Sequence, residues 1–445
     1  MRASALLLAA ACVRADADFF LSPAGDDSAS GASPSAAWRT PGRAAQAIFF
    51  LRNGGPLLEN VTVHLAAGFY FLAQPLTIAA DSGGTGSFFV TWLGPPAGPP
   101  AVLSGGAPLP PLAALGGGLV SAVLPADVWP EGLVGQLFSL GLGAGAGGAR
   151  RCLATTAVRQ YASVVYGPRN ATVALAPGSA DAALSAAEMR AARVKLYHTW
   201  TSSVSPVLHW APPFFNTSWT SSSDYGADQR YALQNVLNAS LLAPGEFMFD
   251  PAARLLTYRL APGETAAGVA LVAPALREVL TTAPGAASVR FVNLTVAHGG
   301  AFSDEDCGVD GCSYQSCADG SLAAVHLHGA TDVAFEGVEV AASGQSAVWK
   351  TAARALRCAA AGCTTWAAAA CAWACPSAAC CRPAPTSRAA CSSRTAPSKT
   401  AATSARRARA CSGRMRRAAS CGTTRSQILP TRACSTTCTT LGCSG

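Results

Sequence analysis

The chain is dominated by short apolar runs that alternate with glycine, proline, aspartate and serine. Helical periodicity is scarce, whereas the alternation of apolar and polar residues recurs over lengths typical of strands. The clearest runs are NVTVHLAAGFYFL (60–72), SFFVTWLG (87–94), VRFVNLTVAHG (289–299) and AAVHLHGATDVAFEGVEVAASG (323–344). This pattern predicts an all-β fold built from many short strands.

One segment, DVAFEGVEV (332–340), shows this alternation clearly, and it breaks only at Gly337. Such a break predicts a bend or a β-bulge. The segment VRFVNLTV has similar spacing 44 residues earlier, beginning at residue 289 against 333. Repeats of this length are typical of solenoids, although two copies alone do not establish one.

Residues 111–280 differ from the segments on either side. Loop-rich stretches such as GLGAGAGGARR and TSWTSSSDYGADQRY separate strand-like pieces such as NATVALAPG and RLLTYRLAPG. This composition predicts an insertion or a second, small β-rich domain.

The N-terminus predicts export. Arg2 precedes the apolar stretch 3–12, and Ala15-Asp16-Ala17 fits a small-residue cleavage site, so we expect a signal peptide over 1–17. Five sequons provide candidate N-glycosylation sites at Asn60, Asn170, Asn216, Asn238 and Asn293. We therefore expect a secreted or cell-surface protein, and no later apolar run is long enough for a transmembrane helix.

Charge divides the chain at about residue 350. Residues 1–350 contain 18 Lys and Arg and all 24 Asp and Glu, hence 18 − 24 = −6, whereas residues 351–445 contain 14 Lys and Arg and no acid. The net charge of +8 is therefore a property of the C-terminal segment and not of the body. This distribution argues against nucleic acid as a partner.

Several segments together resemble right-handed parallel β-helix proteins of the pectin-lyase-like type. DFFLSPAGDDSASGASPSAAWRT (18–40) is similar to their opening strand and turn, and RAAQAIFFLR (43–52) is similar to their capping helix. Residues 66–109 resemble the first coils, and GSLAAVHLHGATDVAFEGVEVAASGQSAVW (320–349) resembles a later one. YALQNVLNASLLAPGEFMFDPAARLLTYRLAPGE (231–264) resembles a subgroup that has an inserted β-domain and includes glycoside hydrolases.

The resemblance implies a solenoid that binds an extended polysaccharide or glycan along one face. A glycoside hydrolase would need two carboxylates. A lyase would need a base and Ca²⁺ held by carboxylates, so Ca²⁺ is a possible cofactor only under that reading and no other cofactor is expected. A non-catalytic carbohydrate-binding or surface/matrix protein is the alternative, because the superfamily includes enzymes and non-enzymes.

The candidate catalytic residues of the body cluster between residues 298 and 339. His298 ends a predicted strand, and a loop rich in acids follows it. His326 and His328 are two residues apart in a strand, so both should lie on one face. The weak catalytic candidates are therefore His298, Asp304, Asp306 and His328, with Glu305, Asp310, Asp332, Glu336 and Glu339 close by in the sequence.

These candidates also have simpler explanations. The loop acids fit solvated turn residues, and His326 and His328 fit a solvent-facing pair; a metal site would need a third ligand that the sequence does not place, so no metal is predicted. Cys307, Cys312 and Cys317 are disulfide candidates in an exported chain, with Cys152 as a further partner. The catalytic residues stay unassigned, and in the resembling subgroup the acidic pair is expected in later coils.

The C-terminal 95 residues have an unusual composition. Residues 351–445 contain 12 cysteines but no Asp, Glu, Asn, His, Val, Phe or Tyr. A disulfide scaffold would explain the cysteines, and a basic disordered tail would explain the arginines. A shifted reading frame would explain both, together with the missing residue types.

The segment TTWAAAACAWACP (364–376) tests whether the reading frame of the tail is shifted. Regrouping its possible codons by one base permits D-L-G-G-G-G-V-R-V-G-V-P, which resembles the segment expected next in this β-helix subgroup. Both glycines forced by Trp366 and Trp373 fall where that subgroup has glycine. We therefore expect an out-of-frame, unstructured tail, and sequencing the transcript across codons 345–370 tests this.

The predicted organisation has five parts. These are a signal peptide (1–17), an N-terminal cap with the first coils (18–110), an inserted β-rich domain (111–280), further coils (281–350) and the out-of-frame tail (351–445). The expected function is glycoside hydrolase-like action on complex polysaccharide. Loss of the later coils would leave the chain as written inactive.

Overall fold

A computed structural model describes residues 17–366 with internal gaps. The residues left out within that range are 54, 127, 129–135, 141–147, 168–169, 198–201, 219–229, 300–322, 344–345 and 360–361. The predicted signal peptide up to residue 16 and most of the predicted tail therefore lie outside the described residues. The described part is mostly β, as the hydrophobic pattern predicts, and it belongs to one unit of the chain.

Three sheets contain only parallel strand pairs. Sheet A consists of β1 (Ala17–Leu21), β2 (Val61–Leu65), β5 (Val90–Leu93), β22 (Ala287–Val292), β25 (Thr331–Glu336) and β28 (Arg354–Ala359). Sheet B consists of β3 (Gly68–Phe71), β6 (Ala101–Ser104), β23 (Leu294–Ala297), β26 (Glu339–Ser343) and β29 (Gly362–Trp366). Sheet C consists of β4 (Leu76–Ile78), β21 (Leu280–Thr282), β24 (Ala323–His328) and β27 (Ser346–Thr351).

The chain visits these sheets in a fixed order. From β2 to β6 it passes through sheets A, B, C, A and B, and from β21 to β29 it continues through C, A and B three times in succession. Each strand therefore pairs with strands one visit earlier and one visit later. The register repeats, so that Val289 aligns with Val333 and Thr295 with Glu339, both 44 residues on.

The space between the three sheets is filled by aligned apolar side chains. In sheet A, Val63, Trp92, Phe291 and Phe335 share one register position and are buried. The rings of Phe291 and Phe335 stack with centroids 5.3 Å apart. Full burial of each such side chain is worth about 1.5–3 kcal/mol, so these columns are a principal source of stability.

Turns between the strands recur at left-handed backbone positions. Gly285 (φ 90°) and Gly329 (φ 59°) lead from sheet C to sheet A, and Asn293 (φ 52°) and Gly337 (φ 61°) lead from sheet A to sheet B. Gly337 thus lies in a bend between two strands, which confirms the first of the two predicted alternatives, a bend or a β-bulge. A Cβ on Gly337 would lie 2.5 Å from Asn293 Oδ1, so the stacking itself requires a glycine there.

A helix and a folded loop contact the first strands. Helix α1 (Pro41–Asn53) occupies the segment predicted as a helix, and it contacts β1 and β4. The Asp27 carboxylate fixes the preceding loop, because it accepts hydrogen bonds from the backbone N–H of Arg39 (2.8 Å) and Thr40 (2.9 Å). A 3₁₀ helix (Pro34–Ala36) also lies in this loop.

Between β6 and β21 the chain forms an eight-stranded sheet and a closed barrel, within the region predicted as an insertion. The sheet consists of β7 (Gly106–Pro108), β20 (Ala270–Pro274), β10 (Leu137–Leu140), β11 (Ala149–Leu153), β18 (Glu246–Asp250), β19 (Leu255–Arg259), β9 (Leu119–Val123) and β8 (Ala113–Gly116). The barrel consists of β12 (Arg159–Tyr166), β13 (Asn170–Leu175), β16 (Phe214–Ser218), β15 (Ser202–Ala211), β14 (Arg193–Tyr197) and β17 (Arg230–Gln234). Helix α2 (Ala186–Met189) and the 3₁₀ helices Ala180–Ala183 and Ala239–Leu241 complete this region.

One contact closes this region at its base, and a second joins its two parts. The Gly105 carbonyl, which directly follows β6, accepts hydrogen bonds from the N–H groups of Ala275 (2.9 Å) and Leu276 (2.8 Å), so the chain leaves and returns at one point. The buried Asn235 side chain donates to the carbonyls of Ala191 (3.0 Å) and Phe249 (2.9 Å) and thereby joins the barrel to the eight-stranded sheet.

The structure differs from the expectation of an unstructured segment after residue 350. Residues 354–359 and 362–366 form β28 and β29, which pair in parallel with β25 and β26. The physical reason is that strand pairing uses backbone groups, which every residue except proline supplies, and small alanine side chains do not obstruct it. Residues 367–445 lie outside the described part of the chain. Among the described residues, no helix is both long enough and apolar enough to span a bilayer.

Candidate functional site

His298, the first catalytic candidate, is a buried packing residue. Its side chain is inaccessible, and its Nδ1 lies 2.8 Å from the Ser104 hydroxyl. Its ring packs 5.2 Å from Phe138 of the eight-stranded sheet, so it lies between that sheet and sheet B. The left-handed backbone at His298 (φ 60°) directs the chain out of β23. This environment gives His298 a structural explanation.

The acidic loop that follows His298 is not described by the structure. Asp304, Glu305, Asp306 and Asp310, and the disulfide candidates Cys307, Cys312 and Cys317, lie within residues 300–322. Cys152, the further candidate partner, lies partly buried in β11. Cys152 is disulfide-bonded, in agreement with its predicted part in a bridge. The roles predicted for the residues within 300–322 remain predictions.

His326 and His328 lie on the outer face of sheet C. Both belong to β24, and their rings stack with centroids 6.0 Å apart and an interplanar angle of 13°. His328 is exposed, whereas His326 is partly buried and hydrogen-bonded on both ring nitrogens. The pair is therefore an organised part of the surface and not simply two solvated rings.

Glu278 and Thr351 hold His326 in place. His326 Nδ1 lies 2.6 Å from Glu278 Oε1, and Nε2 lies 3.2 Å from the Thr351 hydroxyl. A carboxylate accepts hydrogen bonds only, so Nδ1 carries the proton toward Glu278, and the Thr351 hydroxyl, which can donate or accept, pairs with Nε2. The two contacts thus fix the orientation of the imidazole, with His328 beside it.

An ordered row of side chains crosses this face of sheet C. Thr77, Thr281, His326 and Trp349 share one register position on successive strands, and Thr77 is exposed while the other three are partly exposed. Neighbouring strands are about 4.8 Å apart, so the row presents hydroxyl, imidazole and indole groups at a regular spacing. We call Thr77, Thr281, Glu278, His326, His328 and Trp349 the sheet C surface.

The sequence pattern does not reveal Glu278 or Thr351. Glu278 lies 48 residues before His326 and outside any strand, and only the stacking of β21 on β24 brings the two side chains together. A repeat-based alignment of the segments at 280–282 and 325–327 is the signal that could have found this contact.

The other acids predicted near the site lie on sheets A and B. Asp332 forms an ion pair with Arg357 (3.3 Å), and Glu339 lies 3.5 Å from the Thr295 hydroxyl. Glu336 is exposed at the end of β25. Among the described residues, no group of three or more His, Cys, Asp or Glu side chains could hold a metal ion, so no described cluster fits the Ca²⁺ of the lyase reading.

A carboxylate with a buried side chain packs against the eight-stranded sheet. Glu264 is 1% exposed and accepts hydrogen bonds from Ser139 (2.6 Å), Arg151 (2.5 Å) and Tyr258 (2.5 Å). Burial raises the pKa of Glu264, but these donors and the Ala261 N–H lower it, and the net pKa is below its ordinary value. Because every partner stabilises the charged form, this carboxylate is a structural anchor and not a proton donor.

Another buried carboxylate lies inside the barrel. Asp181 accepts a hydrogen bond from the Tyr231 hydroxyl (2.7 Å) and pairs with Arg159 (3.1 Å). Burial, followed by the interactions with Asp181, raises the pKa of Tyr231, so the phenol stays protonated as a donor. The two networks satisfy buried polar groups and leave the sheet C surface as the accessible cluster that we consider for function.

Comparison with known proteins gives a fold relation only. No protein-family model matches the chain, and no curated protein matches it. A solved structure described as "Glycoside hydrolase" is similar with a TM-score of 0.58 at 17% identity, covering 75% of this chain and 63% of that one. A second, "The complex structure of XylC with xylose", has a TM-score of 0.36 at 11% identity, covering 74% of this chain and 41% of that one, and carries no argument. The chain therefore spans less than two thirds of the length of the similar glycoside hydrolase.

Proposed function

We propose that the protein is a secreted, right-handed parallel β-helix protein that acts on complex polysaccharide in the manner of a glycoside hydrolase. Three parallel sheets visited in a fixed order support the β-helix assignment. The similarity to a glycoside hydrolase fold supports a carbohydrate-active role at most. The eight-stranded sheet and the barrel form the inserted domain in this proposal, and the residues beyond 350 are encoded out of frame.

The sheet C surface is the observation that carries the proposal. Carbohydrate sites combine aromatic surface with a few convergent polar groups, because sugar rings present both apolar faces and hydroxyls. Trp349 supplies the aromatic group, and His326 and Glu278 supply polar groups in a fixed geometry. The row of outward side chains follows the direction in which strands stack, which suits an extended polymer.

A non-catalytic glycan-binding function is favoured by a specific feature of the same site. The carboxylate of Glu278 is paired with an imidazole and not with a second carboxylate. Hydrolysis of a glycosidic bond in most families needs two carboxylates about 5–10 Å apart. Binding without hydrolysis is therefore the second candidate function, with the same residues as its contact surface.

Trp349→Ala tests the proposed surface. We expect the variant to lose about tenfold or more in affinity for soluble plant and algal polysaccharides, measured by affinity electrophoresis, because the aromatic platform is removed. Phe214→Ala removes an exposed aromatic ring from the barrel and should leave the affinity unchanged. Equal binding by both variants would exclude the sheet C surface.

Release of reducing ends separates the two candidate functions. A hydrolase should release them from the bound polysaccharide, and Glu278→Gln should reduce that release if Glu278 takes part. Binding without any release by the intact chain would favour the non-catalytic function.

A further inference from the structure

The outer surface of the barrel carries an exposed apolar patch. Val165 (67% exposed) lies on β12, and Leu208 (58%) and Phe214 (50%) lie on the adjacent strands β15 and β16, which β13 separates from β12. Apolar side chains exposed together on one side of a soluble protein usually mark a surface that something covers. We call these three residues the barrel patch.

Asn216 lies within this patch. The register aligns Val165 with Thr172, Thr172 with Asn216, and Asn216 with His209, so these side chains form one row across the outside of the barrel. Phe214 is two residues from Asn216 on the same strand and therefore on the same face. Leu208 lies at the irregularity in β15, between Val207, which aligns with Thr217, and His209, which aligns with Asn216. The amide is thus flanked by apolar side chains.

A second sequon lies diagonally across from the first. Asn170 aligns with Ser218, which is two residues from Asn216 on β16. Such diagonal neighbours are about 7–8 Å apart on one face of a sheet. Asn170 is exposed, and Asn216 is partly exposed.

The other sequons have amides engaged in the fold. Asn238 Nδ2, the atom that would carry a glycan, donates to Glu188 Oε1 (2.6 Å). Asn60 Oδ1 accepts from the Phe89 N–H (3.0 Å), and Asn293 sits in the stacked turn against Gly337. Among the described residues, no hydrogen bond involves the Asn216 side chain. Asn216 therefore offers its amide with less disturbance of the fold than Asn60, Asn238 or Asn293.

We propose that an N-linked glycan on Asn216, with Asn170 as its neighbour, covers the barrel patch and keeps the barrel from self-association. The inference rests on the secretion included in the proposed function, because the modification requires export. A hydrated glycan rooted within the patch would exclude other apolar surfaces from Leu208 and Phe214. The barrel would then be a shielded face, distinct from the glycan-contacting sheet C surface.

The test uses the full chain secreted from a eukaryotic host. Peptide mass spectrometry after enzymatic deglycosylation in heavy-oxygen water measures the occupancy of each sequon, and we expect Asn216 to be occupied. Ser218→Ala removes the sequon while keeping the asparagine, and Ser218→Thr preserves the sequon as a matched control. We expect Ser218→Ala to bind an environment-sensitive apolar dye several-fold more strongly and to self-associate in sedimentation velocity, with Ser218→Thr unchanged.

A rescue variant separates loss of the shield from loss of folding. Adding Leu208→Ser and Phe214→Ser to Ser218→Ala should restore the low dye binding and the monomeric state, because the patch itself is removed. An unoccupied Asn216 beside other occupied sequons overturns the inference but leaves the proposed secretion standing. If no sequon is occupied, both fail. An occupied Asn216 whose loss changes neither dye binding nor association also overturns it.

Discussion

The three parallel sheets contain two groups of strands in equivalent places, β21 to β26 and β27 with β28. The residues at the aligned core positions differ between the two groups. In sheet A, the position filled by Trp92, Phe291 and Phe335 is occupied in β28 by Cys358. In sheet C, the position of Leu327 is occupied in β27 by Lys350. The earlier strands supply large core side chains at these positions, whereas the later ones supply a cysteine and a lysine there and pack only smaller or partly buried apolar side chains, such as Ala347 and Leu356, against the core.

The turns show the same difference. Gly285 and Gly329 take the left-handed conformation that leads from sheet C to sheet A, and the next equivalent turn places Ala352 there (φ 53°). An alanine in this region costs about 1–2 kcal/mol more than a glycine, because its Cβ approaches the neighbouring carbonyl. The comparison teaches that parallel pairing can extend beyond the residues whose side chains fit the core.

Phe335→Ala and Leu356→Ala should show the largest difference in stability between the two groups of strands. Phe335 is buried against Phe291, so its truncation should lower the free energy of unfolding by about 3–5 kcal/mol. Leu356 is only partly buried against the core, so Leu356→Ala should cost about 1 kcal/mol or less. Chemical denaturation measures both. Equal losses would mean that β28 is as well packed as β25.

Exchange of the turn residues should give effects of opposite sign. Gly329→Ala should destabilise the protein by about 1–3 kcal/mol, because its Cβ would lie 3.0 Å from Pro284 Cα at a left-handed position. Ala352→Gly should stabilise it by up to about 1 kcal/mol, since the strain is relieved. Thermal unfolding of the two variants measures the pair. Destabilisation by Ala352→Gly would show that the last turn is not strained.

Lys350→Leu should have the smallest effect. Leucine at this register position would extend the column of Ile78, Thr282 and Leu327, so we expect stabilisation by about 1 kcal/mol. Lys350→Gln, which removes the charge without adding an apolar side chain, is the control. A lower melting temperature for Lys350→Leu than for Lys350→Gln would place the Lys350 side chain outside the core.

The predictable part of the fold follows from local alternation. The apolar positions of VRFVNLTV and DVAFEGVEV could be assigned to strands because alternation is a property of neighbouring residues, and it recurs in β22, β23, β25 and β26. The break at Gly337 was visible, but its nature was not, because a bulge and a turn both interrupt alternation. Only the stacking against Asn293 distinguishes them.

The candidate site was harder to predict from the sequence, because it depends on the register between distant segments. The spacing of His326 and His328 predicted a shared face, yet Glu278 joins them through the alignment of β21 with β24. Whether a side chain is buried likewise depends on residues that are distant in the sequence. His298 looked available at a strand end, and Phe138 from the eight-stranded sheet covers it. The closed barrel and the role of Asn235 had no local signal.

The single carbonyl of Gly105 joins the two ends of the inserted region. From the viewpoint of the three parallel sheets, everything from β7 to β20 is topologically one turn between a strand of sheet B and a strand of sheet C. From β21 onward the chain passes through the three sheets in the same order as before β7. A gene could therefore acquire, exchange or lose the inserted region at one site without altering the register of the strands around it.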